Sequence, residues 1–265
     1  MHPAPQWQGK KYLVTTLAQT PLVPIPWDRG SAYTAWVYRL LGHADPGLGQ
    51  RIHQESGIKP FAITPLEFDS GQATTQGYMP DTPFAALTIS TVDPTIATAL
   101  AAAIPEIPLH IGPMCFQALA VTPYPEPCWN ANETVSYRSV YPIALHQWSE
   151  ARNGRRYTQP KFPRDPDWNV ALVQNSVRKI QELLHLNIAP EAITIEAIDG
   201  WQARYQTLYG HPIPAFRPRS GLRVTAPPEV HAMLFTLGFG ILNSSGLGGL
   251  PLDTLSELVP SDFPK

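Results

Sequence analysis

Three side chains capable of moving protons and steadying charge on a phosphate lie near one another in the first quarter of the chain: Tyr38, His53 and Lys59. An imidazole titrates near neutral pH and can protonate a leaving oxygen, a phenol can orient or deprotonate a hydroxyl, and an ammonium can offset developing negative charge. The pattern places His53 near the C-terminus of a short helix, where the helix dipole favours imidazolium. Lys59 follows across a Ser56-Gly57 turn. On one straight helix, Tyr38 and His53 would stand about 22 Å apart, too far for shared catalysis. Gly42, Pro46 and Gly47 interrupt the helical pattern between them, and this break is expected to fold the second piece back so that the three converge. His43, in the interruption, is a rival for the histidine role.

A second signal is the glycine-rich segment GFGILNSSGLGG, with five glycines between Gly238 and Gly249. Glycine admits positive φ and lets a phosphodiester approach successive backbone N–H groups. Gly238, Gly240, Gly246 and Gly248 are candidates for such contacts, with Ser244 and Ser245 as further donors. A tight crossover needed only for packing is the competing reading. The segment has no Gly-Lys-Ser/Thr and follows a helix instead of opening one, so an ATPase or Rossmann loop is not expected.

Formal charge is −2, which argues against a surface that is basic throughout. Its distribution is uneven. Between Ala151 and Arg223 there are 11 Lys and Arg against 6 Asp and Glu, whereas the remainder carries 8 against 15. Arg152, Arg155, Arg156, Lys161 and Arg164 form one basic run, and Arg217, Arg219 and Arg223 another. Each is either an anion-facing surface or solvated exterior. There is no HExxH, GxSxG, HxT or HxS pair and no metal-ligand cluster among the carboxylates, so no metal or cofactor is expected. Two cysteines without CxxC spacing point to a reducing compartment, and no apolar run approaches a membrane span. The expected setting is cytoplasmic.

The elements that must position these residues read as α+β. Lys11–Ala18 is strand-like, and Ser31 begins a helix with Tyr33, Val37, Leu40 and Leu41 in one stripe. Ile58–Leu66 and Phe84–Thr91 are further strands, Asp93-Pro94 starts an alanine-rich helix, and Leu109–Val121 closes a βαββαβ unit. Thr122–Asn132 is proline-rich and aperiodic. After it the order appears again: a strand over Thr134–Leu145, a helix capped by Asp167 with Val173, Val177, Ile180 and Leu184 inward, and a strand pair of Ile193–Ile198 with Gln202–Leu208. A helix opened by Pro227-Pro228, with Val230, Met233, Leu234 and Leu237 inward, and a short strand after Gly249 complete it. Two tandem ferredoxin-like domains follow, 1–125 and 126–265.

The segments IHQESGIKPFAITPL (Ile52–Leu66) and GFGILNSSGLGG, in this spacing and on this duplicated architecture, resemble the CRISPR-associated endoribonucleases that process precursor CRISPR RNA, members of the RAMP superfamily. The resemblance covers essentially the whole chain. It implies metal-free cleavage of CRISPR repeat RNA by attack of a ribose 2′-OH on the adjacent phosphorus, leaving a 2′,3′-cyclic phosphate and a 5′-OH. In it His53 is the acid, Tyr38 a base or orienter, and Lys59 the charge stabiliser. RNA contacts fall to the two basic runs and the glycine-rich segment. Homodimerisation and transfer of product to a CRISPR effector complex are compatible with it. The alternative is a non-cleaving RAMP subunit that binds guide RNA.

Overall fold

The computed structural model describes residues 9–125, 127–137, 141–150, 156–208 and 210–248. In the amino-terminal half the elements are β1 (Lys10–Ala18), β2 (Ile25–Pro26), α1 (Gly30–Ala44), α2 (Pro46–Gln54), β3 (Phe61–Ile63), β4 (Gly71–Ala73), β5 (Gly77–Pro80), β6 (Phe84–Thr91), α3 (Pro94–Ala103), β7 (Leu109–Ile111) and β8 (Met114–Pro123). In the second half they are β9 (Glu133–Tyr137), β10 (His146–Glu150), β11 (Arg156–Pro160), α4 (Trp168–Leu184), β12 (Thr194–Ala197), β13 (Trp201–Leu208), β14 (His211–Pro218), β15 (Leu222–Ala226) and α5 (Pro228–Leu237).

The first sheet runs β3-β6-β1-β8-β7, all antiparallel. With α1 and α3 as its crossovers this is a ferredoxin-like unit, to which β2, β4 and β5 add a small separate sheet. Its core is built from the expected stripe of α1, where Tyr33, Val37, Leu40 and Leu41 are buried with Trp36, packed on Val14, Leu87, Ile89 and Phe116 of the sheet. Helix α3 begins as its sequence dictates: the Asp93 side chain accepts from the N–H groups of Thr95 and Ile96, and Pro94 occupies the first turn. The closing strand is not continuous. Gly112, at φ 56°, turns the chain so that β7 and β8 form a hairpin.

The second half repeats the plan with the sheet β12-β15-β9, covered by α4 and α5. The strand expected after Gly249 lies outside the described residues. The expected pairing of Ile193–Ile198 with Gln202–Leu208 is corrected: β12 pairs with β15, and β13 pairs with β14 in a long hairpin inserted between them. The reason lies in alternation, since Ile195 and Val224 place buried side chains in register while β13 is largely exposed. The inward face of α4 is also rotated from the expected stripe. Trp168, Leu172, Ser176, Lys179 and Ile180 are buried, and Val173, Val177 and Leu184 pack at the margin. Helix α5 matches expectation, with Val230, Met233, Leu234 and Leu237 in the core.

The halves meet where α5 lies against the first sheet. Ser90 of β6 donates its hydroxyl to the carbonyl of Thr236. The buried ammonium of Lys11 sits 4.0 Å from the ring centroid of Phe235 and 4.9 Å from that of Tyr124. From the end of α5 the glycine-rich segment crosses to the start of α1.

Candidate functional site

The helix break that brings Tyr38 to His53 falls at Asp45, whose extended backbone ends α1 and whose carboxylate accepts from the N–H of Gly47 as the N-cap of α2. Pro46 supplies the first residue of α2. Gly42 does not interrupt anything; α1 continues through it to Ala44. Its part is packing, because a Cβ placed on Gly49 of α2 would lie 2.8 Å from the backbone N of Gly42. The two helices therefore touch backbone to backbone, and α2 folds back along α1.

At the far end of α2 the rings of Tyr38 and His53 meet edge to face, with centroids 4.8 Å apart and planes at 78°. Tyr38 also meets Phe61 of β3 edge to face, which fixes its ring against the sheet. His53 is exposed. The ammonium of Lys59 lies 6.0 Å from the Tyr38 ring centroid. It donates to the carbonyls of Ile52 at 2.7 Å, His53 at 3.3 Å and Glu55 at 2.6 Å, closing the last turn of α2 with a full complement of three donors. Partial burial pulls the Lys59 pKa below the ordinary lysine value, and the neighbouring Glu55 opposes that shift. The three residues thus share one corner of α1, α2 and the entry to β3. There the exposed imidazole of His53 meets the half-buried ring of Tyr38, while the lysine grips the backbone that carries the imidazole. His43, the rival, is drawn elsewhere: its Nε2 lies 2.7 Å from a carboxylate oxygen of Glu106, just after α3.

The glycine-rich segment begins at Gly238, the C-cap of α5, and passes through a short 3₁₀ turn at Asn243–Ser245. Gly238, Gly240, Gly246 and Gly248 all have φ between 70° and 85°. A Cβ at Gly240 would press 2.5 Å from the carbonyl oxygen of Ala144, and one at Gly248 would strike the Asn243 side chain. At these two positions packing alone demands glycine. The hydroxyl of Thr34 on α1 donates to the carbonyl of Ser244 at 2.8 Å and lies 3.0 Å from the hydroxyl of Ser245, so the segment is fastened to the same helix that carries Tyr38.

Two residues that sequence reasoning passed over fix this segment, Lys179 from beneath and Asn243 from within it. Lys179, fully inside the second half, donates to the carbonyl of Gly238 at 2.8 Å and to Oδ1 of Asn243 at 3.0 Å. The amide of Asn243 in turn donates to the carbonyls of Leu237 and Phe239. Burial, aided by the adjacent charge of Arg178, lowers the Lys179 pKa to about 7. The available signal was a lysine set between Ser176 and Ile180 on the apolar face of α4.

The basic runs are dispersed. Arg152 and Arg155 lie outside the described residues, and Arg156 opens β11. Lys161 is paired with Asp167, the residue before α4, and this ammonium holds the Asp167 carboxyl below its usual range. Asp167 makes no side-chain cap to α4. Arg164 lies over the ring of Phe162, 5.1 Å from its centroid. Arg217 and Arg219 are exposed at the end of β14, and Arg223 is exposed on β15, opposite Glu196. Among the described residues no three His, Cys, Asp or Glu side chains gather where they could hold a metal ion, and no helix is long and apolar enough to cross a membrane.

No protein-family model matches the sequence, and no curated protein matches it. Solved structures do. One is described as the characterisation of a Cas6-related gene from Pyrococcus furiosus, with a TM-score of 0.77 and 14% identity over 91% of this chain and 96% of that one. A second is a RAMP protein binding different RNA substrates, with a TM-score of 0.76 and 15% identity over 90% and 97%. A third is a CRISPR-associated protein Cas6, with a TM-score of 0.73 and 16% identity over 93% and 100%. The chain shares the Cas6 fold. At such low identity the common feature is the duplicated ferredoxin-like architecture, carried over nearly the full length of each Cas6 or RAMP chain.

Proposed function

We propose that this protein is an endoribonuclease of the Cas6 branch of the RAMP proteins, cutting precursor CRISPR RNA within its repeats without a metal ion. In this reading residues 1–125 form the cleaving half and residues 126–265 a half devoted chiefly to holding RNA. The observation that carries it is the edge-to-face contact of Tyr38 and His53 at a corner closed by Lys59, on a fold shared with Cas6.

The nucleophile is supplied by the RNA itself. The ribose 2′-OH attacks the adjacent phosphorus, its proton passing to Tyr38 as phenolate or, through Tyr38 as an orienting partner, to solvent. As the P–O2′ bond forms, the P–O5′ bond breaks, and imidazolium His53 gives its proton to the departing 5′-oxygen. The products are a 2′,3′-cyclic phosphate and a 5′-OH. Lys59 places positive charge at the same corner and steadies the turn that presents His53. The exposure of His53 suits a substrate arriving from solvent, and the exposed Arg217, Arg219 and Arg223 supply positive charge for its phosphates.

The decisive experiment is incubation with the repeat RNA of the source organism in excess chelator, beside a copy carrying one 2′-deoxyribose at the cut site. Cleavage of the first and not the second, with a cyclic phosphate on the upstream product, is the expected result. Binding without cleavage of either RNA favours the second reading, a guide-binding RAMP subunit, to which the RAMP neighbour's likeness also applies.

A further inference from the structure

At the N-terminal end of α1, a cavity of about 300 Å³ opens between the start of the helix, the β13–β14 hairpin and the glycine-rich segment. Its wall includes Arg29, Arg204, Trp27, Tyr205, Ser245 and Gly246, and among the described residues it contains no carboxylate. Arg29 precedes α1 and makes no side-chain cap to it. Its Nη1 is buried and has no hydrogen-bond partner among the described residues. A guanidinium at the cavity wall, with one of its N–H groups left without an acceptor, offers an entering anion a positive charge to pair with. Arg204, on β13, brings a second guanidinium that is exposed.

The aromatic residues define the rest of the ligand. Trp27 is 45% exposed, yet its ring is held by a hydrogen bond from Nε1 to the carbonyl of Thr74 at 3.2 Å. Tyr205 is 73% exposed on β13. A fixed indole and an open phenol beside two arginines form a stacking platform next to an anion site, the combination that binds single-stranded nucleic acid. Asp28, the residue before Arg29, has a carboxylate that accepts from the N–H of Gly210 at 2.6 Å and ties the hairpin turn to the start of α1, bracing the cavity.

We propose that this cavity is a subsite for one nucleotide of a single RNA strand, its phosphate received by Arg29 and Arg204 and its base stacked on Trp27, with Tyr205 at the rim. The inference rests on the RNA-processing reading and adds to it a recognition site separate from the cleaving corner. Eight residues of helix, about 12 Å, separate Gly30 at the cavity from Tyr38. A strand of several nucleotides, the usual extent of single-strand sites, spans both. A free nucleotide would use the cavity alone, without the continuity that α1 provides.

The test is equilibrium binding of fluorescein-labelled repeat RNA, followed by anisotropy over a range of salt, with uridine 5′-monophosphate as competitor. Arg29→Gln and Trp27→Leu should each weaken binding about tenfold. Arg29→Gln should also reduce the slope of log affinity against log salt by about 0.7, the share of one single-strand phosphate. Millimolar uridine 5′-monophosphate should displace little RNA. Because Arg204 and Tyr205 are exposed, the double variant Arg204→Gln/Tyr205→Ala provides a second readout with an unchanged melting temperature, and it too should bind at least tenfold more weakly.

Wild-type binding with that double variant unaffected overturns the subsite and leaves the RNA reading standing. So does an affinity loss confined to Arg29→Gln and accompanied by a lower melting temperature. Strong displacement by the free nucleotide overturns the RNA-strand assignment, and absence of any RNA binding by the wild type overturns both readings together.

Discussion

Lys179 of α4 donates to the side-chain oxygen of Asn243, 3.0 Å away beneath the glycine-rich segment. With its bond to the Gly238 carbonyl this gives the nitrogen two acceptors, which a neutral amine with two hydrogens satisfies in full. Burial, aided by the charge of Arg178, lowers the folded pKa to about 7. The unfolded chain keeps its proton up to about 10.5, so between about pH 7 and 10.5 the unfolded state binds more protons and stability rises with pH; below about 7 the full cost of burying the ammonium is present. Urea unfolding at pH 7 and pH 9.5, above the histidine range, should show a gain of up to about 3 kcal/mol across that interval. Lys179→Met should flatten it. An equal gain in both proteins would assign the effect to other groups.

The crossing of α1 and α2 makes opposite predictions for two glycines. A methyl group at Gly42 meets nothing within 4 Å, so Gly42→Ala should raise stability by up to about 1 kcal/mol through helix propensity. A methyl group at Gly49 meets the backbone of Gly42 at 2.8 Å, so Gly49→Ala should cost about 1–3 kcal/mol and lift α2 from α1. Because α2 carries His53, only Gly49→Ala should also slow RNA cleavage. Thermal melts and single-turnover rates on the pair check both parts, and a pair with indistinguishable rates would separate the helix crossing from catalysis.

The acid role proposed for His53 predicts a drop of roughly 10²–10⁴ in cleavage rate for His53→Ala, with RNA affinity nearly unchanged, since that role delivers the proton in the transition state. Tyr38→Phe keeps the edge contact with His53 and the packing on Phe61 but removes the hydroxyl. Its loss of rate therefore reports the chemistry of that hydroxyl without disturbing the ring. Single-turnover assays beside binding isotherms make the separation. Rates unchanged in both variants would take the corner out of the mechanism.

Much of this arrangement was legible because it is local. Periodicity gave α1 and α5 with their buried faces, and the Asp93-Pro94 pair marked the start of α3, whereas Pro46 reads as a break and its place behind the Asp45 cap of α2 emerges only in the fold. What could not be read is long-range. The partner of β12 is β15, beyond an inserted hairpin, and short strands of similar composition do not announce their register. Gly42 reads as a helix breaker in a string of residues; only the second helix, with Gly49 against it, turns it into a packing glycine. Lys179 and Asn243 are 64 positions apart, and their bond exists only once α4 and the end of α5 are folded together. Lys59 was read as a charge for the phosphate, whereas its hydrogen bonds lie with the backbone of α2.

That last relationship separates two ways in which Lys59 serves the corner. If its charge alone matters, Lys59→Arg should keep most of the cleavage rate and Lys59→Met should lose it. If its grip on the Ile52, His53 and Glu55 carbonyls matters, a planar guanidinium cannot reproduce three converging donors. Both variants should then lose rate, together with about 1–2 kcal/mol of stability in α2. The hydrogen bonds favour the second outcome. Amide exchange across Arg51–Glu55 should quicken in both variants, and the loss of rate should follow the loss of protection. In the wild type the same protection should weaken as pH climbs toward the lowered pKa of Lys59, below the ordinary lysine range, because a neutral amine serves only two of the three carbonyls. Normal exchange in Lys59→Met, alongside a slow rate, would return the lysine to a purely electrostatic role.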